Sequence, residues 1–114
     1  MSARSCTGNP LILGSVSDQV IPAGTSTVFT QAAMGNVAVF CYLRTVATVV
    51  LNLAVNWTDA NGAQSAPVFT GSLQAGDSIL APTVYVTEST GSITVTTTAD
   101  IANAAVASVS LKGM

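Results

Sequence analysis

The chain has 114 residues; 49% are hydrophobic and only 7% charged, with three basic and five acidic side chains and no histidine. One domain of this length buries roughly two-thirds of its unfolded surface, enough for a core without covalent staples. Three scattered cations cannot neutralise a run of phosphates, which excludes nucleic-acid binding and a polybasic membrane anchor. No run reaches the roughly 18 apolar residues of a transmembrane helix.

In chain order, the first segment reads as an extended, flexible arm over residues 1–14, and the rest as one domain over residues 15–114. The stretch "SARSCTGNP" offers little to pack, and Pro10 restricts Asn9 to extended conformations. The apolar run Leu11, Ile12, Leu13 is shorter than a signal-peptide core, so the chain reads as made and folded in a cytoplasm. A first strand is expected over about 15–21, closed by the turn "IPAG" with Pro22 and Gly24. A second strand covers about 25–31, and "AAMGN" loops into a third over 37–46, where Val37, Val39, Cys41 and Leu43 share a face.

The fourth strand, 48–58, contains "LNLAVNWT", in which Leu51, Leu53, Val55 and Trp57 point inward and Asn52, Asn56 and Thr58 outward. "DANG" turns the chain, with Asn61-Gly62 able to take positive φ. A fifth strand spans about 63–71, and a sixth 79–88, where Pro82 implies an edge or a bulge. "STGS" is a turn before a seventh strand over 93–98, and an eighth covers about 104–112. In the last, Ala-rich segment a helix competes, but Val106, Ser108, Val109 and Ser110 favour a closing strand. Seven to eight antiparallel strands with short turns predict an all-β sandwich, immunoglobulin-like or jelly-roll-like.

Groups able to do chemistry are scarce. Without histidine the commonest general base and transition-metal ligand are missing, and Ser-His-Asp or Cys-His arrangements are impossible within one chain. Cys41, inside "VAVFCYL", reads as a buried thiol; a Cys6–Cys41 disulfide is the alternative that spacing leaves open. Lys112 reads as a solvated terminal lysine, and Asp59, Asp77 and Glu88 as turn formers. "DANG" lacks the further carboxylates of a calcium loop, and "NWT" at 56–58 reads as a chance glycosylation sequon. No enzyme activity, metal or cofactor is expected.

So few charges on so apolar a chain imply either a surface largely covered by other protein, or one solvated by hydroxyls and amides. Phe40, Tyr42 and Arg44 lie opposite Val39 and Cys41 and form an interface candidate, because aromatics and Arg anchor interfaces. Ordinary packing under a loop is the alternative. The arm residues Leu11, Ile12 and Leu13 complete the candidate contact set.

The order "VIPAGTSTVFT", "VAVFCYLRTVATVVLNLAVNWTDANGAQS", "SLQAGDSILAPTVYVTESTGSITVTTT", "VASVSLKG" resembles small β-sandwich domains of tailed-bacteriophage virion proteins over about residues 20–111. In those a long strand ends in a V-x-W/Y-T-D-x-x-G turn, followed by an L-x-A-G-D-S loop and a Pro-bearing strand leading to G-S-I-T-V. The resemblance implies a non-enzymatic structural component of a virion, a capsid decoration or cement protein that binds the particle surface as a homo-oligomer. Its partners would be a major capsid or tail protein and itself. The runner-up is a carbohydrate- or host-surface-binding module of a tail or fibre, for which Trp57 beside Asn56 and Asp59 is the one candidate site.

Overall fold

The computed structural model describes residues 12–114. Its strands are β1 (Ile12–Val20), β2 (Gly24–Thr45), β3 (Val49–Asp59), β4 (Gly62–Leu73), β5 (Ser78–Leu80), β6 (Val84–Ala99) and β7 (Ala105–Gly113). They join in the order β1-β7-β2-β6-β3-β4, with β5 paired to β2, and every pairing is antiparallel.

Two strands are long enough to serve both layers of the sandwich. The first half of β2 pairs with β6, from Gly24 opposite Ala99 to Gly35 opposite Ser89. Its second half pairs with β7, from Val37 opposite Gly113 to Thr45 opposite Ala105, and with β5 on the other side. One layer is therefore β1-β7-β2-β5, joined by the start of β6. The other is the first half of β2, then β6, β3 and β4.

The corner lies where the register slips, between Gly35/Ser89 and Val37/Val86. Gly35 has φ 85° and Glu88 φ 52°, so each strand passes through a left-handed residue as it changes layer. The Asn36 side-chain oxygen accepts from the Glu88 N–H at 2.9 Å, and the Asn36 carbonyl from the Met114 N–H at 3.1 Å. Such bulged bends are how strands switch between packed sheets.

Alternation fills the space between the layers. Val37, Val39, Cys41 and Leu43 of β2 and Ala107, Val109 and Leu111 of β7 line one inner face; Leu51, Leu53 and Val55 of β3 and Ile93 and Val95 of β6 line the other. Thr97, on the same face of β6, is buried too, and its hydroxyl has no hydrogen-bond partner. A buried hydroxyl left unpaired costs about 1–3 kcal/mol. Thr97→Val keeps the shape and removes that cost, so it is expected to raise stability by about 1–2 kcal/mol, read as a higher urea midpoint at unchanged slope.

Several expectations meet corrections here. The segments "AAMGN" and "STGS" are not loops between separate strands: they lie inside β2 and β6, whose bends keep the ladder intact. The expected sixth strand is broken, with β5 before Pro82 and β6 after it; Pro82 has no N–H to give a ladder. Four predicted strands thus become two long ones and a short one, giving seven in all. Ile12, Leu13 and Gly14, assigned to the arm, belong to β1, where Ile12 pairs with Lys112 and Gly14 with Leu111. The rest of the arm, 1–11, lies outside the described residues. The Ala-rich segment ends in a strand, β7, which pairs with β1 on one side and β2 on the other and whose Val106 and Val109 favour that state. At the "DANG" turn Gly62 alone takes positive φ, at 102°; the Asp59 carboxylate caps the turn by accepting from the Asn61 N–H at 2.8 Å.

Candidate functional site

The outer face of the β1-β7-β2-β5 layer carries the largest exposed apolar side chains in one place. Register builds it in rows. Ala38 of β2 lies between Lys112 of β7 and Tyr85 of β6, and Ile12 of β1 extends that row beyond Lys112. Phe40 sits one step on, opposite Ser110; then Tyr42 lies between Ser108 and Leu80; then Arg44 between Val106 and Ser78. Leu80 is 74% exposed, Tyr85 63% and Ile12 59%. Tyr42 is exposed as well, and Phe40 is half-buried. A shallow groove of about 200 Å³ runs between Phe40, Tyr42 and Leu80 on one side and Ser15, Ser108 and Ser110 on the other.

Charge frames this patch. The Lys112 ammonium stands 5.1 Å from the centre of the Phe40 ring, within cation–π range. The Arg44 guanidinium reaches across β7 to the Asp18 carboxylate at 3.3 Å. Asp18 is aimed there by a bulge in β1 between Val16 and Gln19, where it takes φ 50° and its N–H donates to the Ser108 hydroxyl at 3.0 Å. Both side chains of the pair are exposed, so the contact adds little stability; it orients Arg44 flat over the sheet. The two cations of the described residues, Arg44 and Lys112, therefore both lie on this face, and the acids Asp59, Asp77, Glu88 and Asp100 lie elsewhere.

Of the contact set expected from sequence, the fold brings Ile12, Phe40, Tyr42 and Arg44 onto this one face. Leu13 turns the other way and packs against the core, because neighbouring residues of a strand face opposite sides of the sheet. Leu11 lies outside the described residues. Sequence reasoning missed Leu80 and Tyr85, the most exposed members. Tyr85 was findable from alternation, since Val84 and Val86 flank it. Leu80 was not, because its place follows from β5 pairing with β2.

Cys41 sits under this layer as a free, buried thiol. Burial pushes its pKa from the ordinary 9.0 up to about 11. The native protein thus holds the proton where the unfolded chain releases it, and stability falls as pH rises from about 9 toward 11, by up to about 2–3 kcal/mol. Urea unfolding across that range is expected to show this loss, and Cys41→Ala is expected to flatten the difference. In a Cys6→Ser background, a thiol reagent at pH 8 is expected to label Cys41 only after unfolding.

No protein-family model matches the chain, and no curated protein is significantly similar to it. Its fold is shared by solved structures. One is VP2 of infectious bursal disease virus in a subviral particle, at TM-score 0.65 and 15% identity over 92% of this chain and 33% of that one. A second is the T13 particle of the same virus, at TM-score 0.62 and 16% identity over 90% and 31%. A third is a chain of the Bacillus endospore appendages, a family of disulfide-linked pili, at TM-score 0.50 and 16% identity over 92% and 89%. The chain spans about a third of the length of the viral proteins it matches. At such identities the likeness is one of fold.

Proposed function

We propose that this protein is a non-enzymatic structural component of a bacteriophage virion, a decoration or cement protein that sits on the outer surface of the particle as an oligomer. The observation that carries the reading is the apolar outer face of Ile12, Phe40, Tyr42, Leu80 and Tyr85 on a chain with only eight charged side chains. Aromatic side chains framed by Arg and Lys, on a flat sheet with low conformational entropy, make a contact surface. Each apolar Å² removed from water contributes roughly 25 cal/mol before association costs. Repetition on a symmetric lattice multiplies a modest contact through avidity. The motif order shared with tailed-phage virion domains supports the same reading. So does a fold found in a viral particle and in pili, both built from repeated protein subunits.

In this reading the major capsid or tail protein and further copies of the chain are the partners, and the chain reaches the virion after synthesis in the host cytoplasm. The direct test is sedimentation of the purified chain with and without the particle. Concentration-dependent oligomers and co-sedimentation are expected; a monomer that binds no particle overturns the reading.

A further inference from the structure

The second layer ends in a strand that pairs on one side only. β4 is bonded to β3, and its other edge has no partner among the described residues. We propose that this edge pairs with β4 of a second copy, antiparallel about a two-fold axis at Gly71, so that the layer runs on from one molecule into the next.

An open edge presents a row of unpaired N–H and C=O groups to any other strand, and proteins guard such edges with charge, proline, bulges or brevity. The other edges of this fold are guarded. β5 has three residues with Pro82 soon after it, and β1 slips register twice and carries Asp18. The free side of the first half of β2 has the Gln31 side chain packed against Gly14 of β1. β4 has 12 residues, and no side chain from 60 to 76 is ionisable. Its guards are Pro67 and the bulge beside it, where Leu53 faces Phe69 and Ala54 faces Pro67. Past Leu73 the loop takes up the backbone: the Gln74 N–H donates to the Asp77 carboxylate at 2.8 Å, and the Gln74 carbonyl accepts from the Thr45 hydroxyl. The unguarded stretch is therefore 68–73.

Charge names the occupant. A two-fold axis sets the strand against its own copy, so any ionised group near the axis meets its like, which is destabilising. A neutral stretch suits that pairing and offers nothing to a charged partner segment.

Register fixes the axis. Phe69, Gly71 and Leu73 share the inner face with Leu53, Leu51 and Val49, their partners on β3; Thr70 and Ser72 share the outer face with Asn52 and Val50. Opposed residues of paired strands lie on one face. With Gly71 opposite the second copy's Gly71, Phe69 falls opposite Leu73 and Thr70 opposite Ser72, apolar inside and hydroxyl outside. A shift of one residue sets inner side chains against outer ones. Phe69 is half-buried at the open edge, where the second copy's Leu73 completes its cover. Gly71 has φ 148° and puts no side chain on the axis, where another backbone approaches closely. The ladder is short. It holds between copies that the apolar face already gathers, through effective concentration, and in that respect the inference rests on the assembly reading.

The test uses cysteines placed in the full chain with Cys6→Ser, Cys41 being buried. Thr70→Cys and Ser72→Cys, both at exposed positions, are oxidised singly and as an equal mixture at a concentration where the wild type assembles. The mixture is expected to give about 5-fold more covalent dimer than either alone, because opposed Cβ atoms come within disulfide reach and diagonal ones do not. Thr70→Lys with Ser72→Lys is expected to melt with the wild type and to form smaller assemblies. Asn52→Lys with Val50→Lys, the same charges one strand inward, is expected to assemble as the wild type does. If the wild type is oligomeric and the mixture gives no more covalent dimer than the single variants, the pairing is overturned and the assembly reading stands. More dimer from Thr70→Cys alone than from the mixture overturns the axis at Gly71. Loss of particle binding by the lysine variant, with no covalent dimer in the mixture, gives the edge to a particle protein and overturns self-pairing. A monomeric wild type that binds no particle overturns both readings.

Discussion

Leu53→Ala is expected to destabilise the protein by about 3–5 kcal/mol, the largest stability effect of any single truncation proposed here. Leu53 is fully buried in β3, between Thr97 of β6 and Phe69 of β4, and faces the opposite layer. Removing its three outer carbons leaves a cavity that paired strands on both sides cannot collapse to fill. The total stability of a domain is about 5–15 kcal/mol, so the variant approaches the unfolding threshold. Val50→Ala, three residues away on the same strand, is the control. Val50 is 51% exposed on the outer face, and its truncation is expected to change stability by no more than about 0.5 kcal/mol. Urea midpoints at constant slope measure both. A large loss at Val50 and a small one at Leu53 would mean that β3 is seated one residue out of register, since a single step exchanges its faces.

Replacing Leu80 and Tyr85 by Glu is expected to abolish oligomer formation and particle binding without unfolding the protein. Both side chains are exposed, so neither change removes core contacts, and stability is expected to hold within about 0.5 kcal/mol. In an assembly they would lie under the partner, where an anchor contributes about 2 kcal/mol or more. That is roughly 30-fold in affinity for each side chain. The added carboxylates would have to be desolvated as well, which costs several kcal/mol for an unpaired charge. Thr27→Glu, on the outer face of the other layer opposite Thr96, is the matched control and is expected to assemble as the wild type does. Light scattering behind a sizing column reads all three. Unchanged assembly of the double variant would remove the observation on which the proposed function rests.

The strands were legible where alternation is local. In β3, the run Leu51, Leu53, Val55 announced the buried face, and all three are buried. Trp57 was expected inside with them and is only half so, because the strand outruns the opposite layer at the hairpin end. In β2, Val37, Val39, Cys41 and Leu43 were grouped correctly, which also placed Phe40, Tyr42 and Arg44 together on the outer face. The bends were not legible. Gly35-Asn36 and Thr87-Glu88 carry ordinary turn residues, and nothing in either segment says that the other lies across the ladder from it. Read separately, each is a loop; read together, opposite one another, they are one corner.

What the sequence determined by itself, then, is the all-β class, the antiparallel pattern, the buried faces of β3 and of the second half of β2, and the poverty of charge. Each follows from residue type and a period of two, properties of a few neighbouring positions. The tertiary structure alone decided that two strands serve both layers, that β5 and β6 bring Leu80 and Tyr85 beside Tyr42 and Ala38, and that Asn56, Ser65 and Thr94 share one hydrogen-bond network on the outer face. Those are pairings between segments tens of residues apart, and their register is set by how the two inner faces fit together, a quantity no local pattern contains.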